Sequence, residues 1–180
     1  ARLRGKTVAI IGGGPGGLTA AYYLTLMGHK VTVYEQRPKL GGMLRYGIPD
    51  YRLPQEVLDR DIDYILSAGI AVHTGVSIGK DLTMADIQRS FDAVYIAIGA
   101  HNDKKLGLEG ETSKNVVSAV ELLRGIGEGK APDFTGKKVC VVGGGNVSMD
   151  ATRTALRLGA ESVTCVYRRR VEDRSEERRV

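Results

Sequence analysis

Gly12-Gly13-Gly14-Pro15-Gly16-Gly17 carries its chemistry through the backbone rather than through side chains. The segment follows the all-apolar run Val8-Ala9-Ile10-Ile11 and precedes helical spacing of apolar residues from Thr19 to Met27, so a buried strand turns sharply into a helix. In that setting Gly12 makes the tight turn, the third position, Gly14, lets the backbone approach a pyrophosphate, and the sixth, Gly17, permits close packing of the helix. Backbone N–H groups and the positive end of the helix then hold phosphates. Glu35 closes a second strand, Val31-Thr32-Val33-Tyr34, and lies 23 residues after Gly12. Its carboxylate is placed to accept hydrogen bonds from a ribose diol, which selects a nucleotide without a 2′-phosphate.

The pattern occurs twice. Shifted by 131 positions, Val8 to Gly14 falls on Val139-Cys140-Val141-Val142-Gly143-Gly144-Gly145, and the helix-ending Gly28 falls on Gly159. The second copy continues Asn146-Val147-Ser148, with a small Ser at the sixth position, and its strand Val163 to Tyr167 ends without an acid. Tyr167 stands where Glu35 stands in the first copy and is followed by Arg168-Arg169-Arg170. An arginine there can pair bidentately with a 2′-phosphate that a carboxylate would repel. We therefore expect FAD at the first turn and NADP(H) at the second, with Arg168 and Arg169 reading the phosphate.

The elements that must position these turns alternate. After the first βαβ unit comes a loop from Gln36 to Pro54, an amphipathic helix from Gln55 to Ala68, a strand from Ile70 to Thr74, a short helix from Met84 to Phe91 and a strand from Ala93 to Ile98. Such alternation predicts an α/β fold with a parallel sheet. The expected architecture is two Rossmann-like dinucleotide-binding domains of the FAD/NAD(P)-binding flavoprotein type, the second truncated. Residues 1–107 are expected to form the FAD-binding domain without its return segment, 108–135 a connection with one helix from Ser118 to Ile126, and 136–173 the start of the NADP-binding domain. Residues 174–180 break the pattern, and one choice of codons for them spells a widely used sequencing adapter, so we expect a read-through scar.

Composition narrows the function classes. The 24 glycines are about 13% of 180 residues, nearly twice the usual share, yet there is no Gly-X-Y period and only 5 prolines. The charge of +5 is modest and no basic stripe interleaves with aromatics, so a nucleic-acid partner is not expected. No apolar run reaches the roughly 20 residues that span a bilayer, and no membrane partner is expected. Cys140 and Cys165 lie in apolar runs and read as buried free thiols, which suits the cytoplasm. His29, His73 and His101 show no metal-ligand spacing, Asp59, Asp61 and Asp63 read as a solvated helix face, and Tyr22-Tyr23 reads as packing. No catalytic side chain and no metal site are expected.

On these residues the chain resembles the small-subunit (beta chain) type of NADPH-dependent glutamate synthase and related flavoproteins with two dinucleotide sites. The resemblance runs from Gly5 to about Arg170. It rests on Val8 to Glu35, on Leu40-Gly41-Gly42-Met43-Leu44-Arg45-Tyr46-Gly47-Ile48-Pro49 with Arg52-Leu53-Pro54, on Ile96-Ala97-Ile98-Gly99, and on Gly143-Gly144-Gly145-Asn146-Val147 with Asp150. It implies that Gly12, Gly14, Pro15 and Gly17 line the FAD pyrophosphate, that Glu35 holds the adenosine ribose, and that Gly42 and Arg45 lie beside the flavin. Val76 would contact adenine through its backbone, Gly99 would match the glycine of an Ala-Thr-Gly turn in which Ile98 replaces the Thr, and Gly143, Gly145, Asn146 and Val147 would hold the NADP pyrophosphate.

The implied reaction is hydride transfer from NADPH to FAD, with electrons passed on to an acceptor subunit or domain such as the glutamate synthase large subunit. Iron–sulfur clusters would belong to a region upstream or to that partner. Two alternatives stay open. One is a related flavoprotein with another acceptor, of the ferredoxin-linked transhydrogenase or dihydropyrimidine dehydrogenase kind; the other is a non-catalytic dinucleotide-binding subunit.

Overall fold

The computed structural model describes residues 5–169 and divides the chain into two compact units. The first comprises Ala1–Arg45 and Leu53–Ala100, the second Tyr46–Arg52 and His101–Val180. Arg170, the end of the expected 136–173 segment and the expected scar at 174–180 lie outside the described residues. The division falls at Ala100, short of the expected 107, and it places the seven-residue stretch Tyr46–Arg52 with the second unit.

In the first unit, β1 (Thr7–Ile11) leads into α1 (Pro15–Leu26) and β2 (Lys30–Glu35), followed by the single turn α2 (Met43–Tyr46), whose last residue groups with the second unit, and by α3 (Gln55–Leu66), β3 (Ala71–Thr74), α4 (Met84–Ser90) and β4 (Ala93–Ile96). The four strands form one parallel sheet in the order β3-β2-β1-β4, with Val8 opposite Val31 and Ala93, and Val33 opposite Val72. Crossover helices are what allow parallel neighbours. β1 is central, so Val8 to Ile11 are apolar on both faces and Ala9 and Ile10 are fully buried. Around Ile10 and Val33 pack Leu18 and Ala21 of α1 and Leu58 and Ile62 of α3; each fully buried branched side chain contributes about 2 kcal/mol.

Helix α1 starts earlier than its apolar spacing suggests. Pro15 occupies the first turn, where its missing N–H costs nothing, so Gly16 and Gly17 are already helical. At the far end of β1, Asp92 accepts from the Thr7 N–H at 2.8 Å and the Thr7 hydroxyl at 2.9 Å, with Lys6 Nζ at 3.3 Å. Those two Thr7 bonds, and then Lys6, hold the Asp92 carboxyl below its ordinary range. They also tie β1 to the start of β4.

In the second unit, α5 (Ala119–Gly127) is capped by Ser118, whose hydroxyl accepts from the Glu121 N–H at 3.3 Å. β5 (Lys138–Val142), α6 (Asn146–Arg157) and β6 (Ser162–Val166) repeat the strand–turn–helix–strand path, and β5 pairs in parallel with β6. Cys140, expected to be buried, is exposed, and Cys165 is half-buried. The reason is local: β5 and β6 form a two-stranded sheet among the described residues, with exposed residues alternating along each strand.

Candidate functional site

The first turn is closed by backbone bonds and packed too tightly at Gly12 and Gly17 for a side chain. The Gly12 N–H donates to the Tyr34 carbonyl at 2.8 Å, and the Ala97 N–H donates to the Ile11 carbonyl at 2.8 Å, so the ends of β2 and β4 flank the turn. Gly12 has φ +112°, and a Cβ there would lie 2.3 Å from the Ala97 carbonyl oxygen. Gly17, one helical turn on, would place a Cβ 1.9 Å from the Gly12 oxygen. Gly99, expected at this site, follows directly on Ala97 and Ile98 with φ +69°.

A second loop closes on the first. The Gly41 N–H donates to the Gly13 carbonyl at 2.8 Å, and a Cβ on Gly42 would come within 2.7 Å of the Gly14 Cα. Gly12, Gly14, Pro15, Gly17 and Gly42 are thus brought together as a backbone-lined cradle. At Gly14 and Gly42 the two loops meet backbone to backbone, with no side chain of either residue between them.

Glu35 is buried beside the cradle, 7% exposed, with Oε2 accepting from the Gly13 N–H and Oε1 from the Arg37 N–H, both at 2.8 Å. A carboxylate has about four acceptor sites, so the oriented group keeps capacity for a diol. Val76 sits at the same strand end, where its N–H is spent on the Glu35 carbonyl at 3.0 Å. A backbone contact from Val76 to a base would therefore fall to its carbonyl.

Arg45, expected with Gly42 in the stretch beside the flavin, turns its guanidinium into the protein. It is 4% exposed, and its guanidinium is aimed at α3: Nε donates to the Leu40 carbonyl, Nη1 to Gln55 Oε1 at 2.7 Å, and Nη2 to the Asp59 carboxylate. Asp59, read from the sequence as solvation, is the anion of that pair. The spacing of Gln55 and Asp59, four apart on one helix face, was the signal for it, but nothing local named Arg45 as the partner.

The second unit builds the matching turn. The Gly143 N–H donates to the Val166 carbonyl at 2.8 Å, the same bond Gly12 makes to Tyr34, so Tyr167 is the structural counterpart of Glu35. Gly143 has φ +135°. Where Gly13 meets a carboxylate, Gly144 meets an aromatic ring: a Cβ on Gly144 would lie 2.4 Å from Tyr167. The Cys165 thiol donates to the Gly143 carbonyl at 3.1 Å. Gly145, Asn146 and Val147 form the exposed start of α6, and Arg168 and Arg169 are exposed just past β6.

Both turn helices share an electrostatic feature. Neither α1 nor α6 has a side-chain cap or an acid in its first turn, whereas α4 carries a Thr83/Asp86 capping box and α5 carries Ser118 with Glu121.

Sequence reasoning missed a further cluster in the second unit. Asp150 is 4% exposed on α6 and pairs with Arg52 at 2.8 Å, while the Tyr51 hydroxyl lies 3.5 Å from the same carboxylate. The Arg157 guanidinium stacks on the Tyr51 ring, 3.9 Å from its centroid. These contacts explain why Tyr46–Arg52 groups with the second unit. Among the described residues no group of His, Cys, Asp and Glu could hold a metal ion, and no helix is long and apolar enough to cross a membrane.

Comparison with known proteins gives a consistent result. A family described as pyridine nucleotide-disulphide oxidoreductase matches residues 6–178. The NADP(+)-dependent formate dehydrogenase subunit beta of Moorella thermoacetica is 47% identical over 167 residues, covering 92% of this chain and 24% of that protein. The glutamate synthase (NADPH) small chain of Escherichia coli (strain K12) is 38% identical over 185 residues, covering 97% of this chain and 39% of that one. The chain thus spans well under half the length of these curated relatives. Among solved structures, Mycobacterium tuberculosis FprA in complex with NADPH has a TM-score of 0.77 at 23% identity, covering 92% of this chain and 44% of FprA. That likeness concerns the fold.

Proposed function

Because the chain belongs to the pyridine nucleotide-disulphide oxidoreductase family, we propose that its first unit binds FAD, that its second unit is the start of an NADP(H)-binding domain, and that the protein is an NADPH-dependent flavin oxidoreductase. The observation that carries this reading is the contrast at two equivalent strand ends. Glu35, fixed by the Gly13 and Arg37 N–H groups, suits a ribose diol, whereas Tyr167 followed by Arg168 and Arg169 suits a phosphorylated ribose.

Gly12, Gly14, Pro15, Gly17 and Gly42 would hold the FAD pyrophosphate, with the first-turn N–H groups of α1 as donors. Glu35 would orient the adenosine ribose and the Val76 carbonyl the base. Gly143, Gly145, Asn146 and Val147 would hold the NADP pyrophosphate, and Arg168 and Arg169 the 2′-phosphate. Bound there, the flavin supplies the capacity to accept hydride from the nicotinamide and pass electrons on. The chain's own task is to orient the two cofactors, so no side-chain acid or base is assigned.

Although the family name refers to disulphides, the two cysteines are not a redox pair. Cys165 stands opposite Val141 in the β5–β6 register, which puts it on the opposite face from Cys140. We therefore assign electron delivery to a separate acceptor, a partner subunit or domain, in a cytoplasmic setting. Relatives named as beta subunits or small chains support a multi-subunit context.

Glu35→Ala tests the first site. Loss of the ribose acceptor is expected to weaken FAD at least about tenfold, since hydrogen bonds to charged groups are worth roughly 1.5–3 kcal/mol. NADPH affinity should be unchanged and Glu35→Gln intermediate. Equilibrium titration of the apoprotein, followed by flavin fluorescence, measures this; FAD affinity equal to that of the wild type would remove the assignment.

A further inference from the structure

We propose that Arg45 is a positioning residue of the FAD cradle and not a ligand of the cofactor: it locks the Gly41-Gly42 loop against the phosphate turn by bridging that loop to α3. The inference rests on the FAD reading of the first unit. It comes from where the guanidinium points and from what the loop does.

Leu40 and Arg45 bracket the two glycines, whose φ values are +120° and +53°. The bond from Arg45 Nε to the Leu40 carbonyl closes the bracket, and the Arg45 N–H donates back to the Gly42 carbonyl at 3.1 Å. A loop built on two left-handed glycines has little conformational preference of its own, so its shape must come from such tethers. The other two guanidinium nitrogens reach Gln55 and Asp59, one turn apart on α3. That helix is anchored in the core by Leu58 and Ile62. A continuous path therefore runs from the core through α3 and Arg45 to Gly42, and from there to Gly14, which Gly42 approaches closely enough to exclude a side chain.

Arg45 suits this role through its planar fork. Three donors leave in fixed directions toward three partners, a set that a lysine ammonium on a flexible stem cannot reproduce. Three of its five N–H donors are committed to Leu40, Gln55 and Asp59, and the side chain is 5% exposed, so the fork is engaged with the protein.

The test uses the full chain with FAD and compares wild type, Arg45→Ala, Arg45→Lys and Asp59→Asn. Arg45→Ala is expected to weaken FAD at least about tenfold with NADPH affinity unchanged, Arg45→Lys to recover part of the loss, and Asp59→Asn to act in the same direction. The Arg45→Ala/Asp59→Asn double variant should bind no more weakly than Arg45→Ala alone, because Arg45→Ala already removes the one bond that Asp59→Asn weakens. At saturating FAD, the visible absorption spectrum of every variant should match that of the wild type. A spectrum altered in Arg45→Ala would make Arg45 a flavin contact and overturn the inference. So would unchanged FAD affinity in Arg45→Ala beside a wild type that binds FAD. Should Arg45→Ala fail to fold, Asp59→Asn, whose side chain is half exposed, carries the same comparison. A wild type that does not bind FAD would instead refute the FAD reading itself, and this inference with it.

Discussion

Alanine in place of Gly17 is expected to strip FAD from the protein, whereas alanine in place of its neighbour Gly16 is expected to leave binding intact. Both residues are helical and neither has a positive φ. They differ in what a methyl group would meet. At Gly16 there is open space within 4 Å, while at Gly17 the new atom would stand 1.9 Å from the Gly12 carbonyl oxygen and 3.2 Å from Ile10 Cγ2. The obstacle is backbone, so α1 must move away from β1 or the turn must open, and either movement breaks the approach of Gly42 to Gly14. Overpacking of this kind costs about 3 kcal/mol. Gly16→Ala should gain roughly half a kcal/mol from reduced chain entropy. Urea denaturation and flavin absorbance coeluting with protein on size exclusion measure both effects. Retention of FAD by Gly17→Ala would show that the turn is not the cradle.

The second large effect is expected at the other turn. Replacing Arg168 and Arg169 together by alanine should cost about a hundredfold in NADPH affinity and change NADH affinity little. The two arginines are exposed, so each charge-assisted contact is discounted for solvent to about 1.4 kcal/mol, or tenfold. Binding isotherms for both nucleotides on the same double variant check this. An unchanged ratio of NADPH to NADH affinity would show that the phosphate is read elsewhere. Tyr167 bears on the same outcome: its ring lies on Gly144 where a carboxylate lies on Gly13, so the second turn presents no acid to repel a 2′-phosphate.

Local signals made the two turns legible. A β-branched strand, a glycine at a forced positive φ and a strand-end acid or aromatic are set by neighbouring residues, and the repeat shows them twice. The register agrees with Tyr167 standing for Glu35, one residue beyond the shift of 131: Val8 pairs with Val31 and Val139 with Val163. The sixth position was less legible. Ser148 is compatible with the second turn, its Oγ lying where a Gly143 Cβ would crowd it at 2.4 Å, yet the first turn leaves no room for the same replacement at Gly17. How closely a helix seats on its strand is a packing property that a glycine motif does not state.

The tethers were not legible at all. Arg45 finds Asp59 and Arg52 finds Asp150 across 14 and 98 positions, and hydrophobic period says nothing about which buried charges will meet. For that reason Tyr46–Arg52 read as loop between elements of one domain, although Arg52, Tyr51, Asp150 and Arg157 place it with the second unit. The burial expected for Cys140 failed for a related reason, since an apolar run shows strand character but not how many layers cover it.

Anaerobic titration of the full-length protein with NADPH, and separately with NADH, tests the central claim most directly. The account predicts that the protein is purified with stoichiometric FAD, that its visible absorbance bleaches on addition of NADPH, and that NADH does so only at far higher concentration. A bound flavin that NADPH never bleaches, or equal response to both nucleotides, would contradict it.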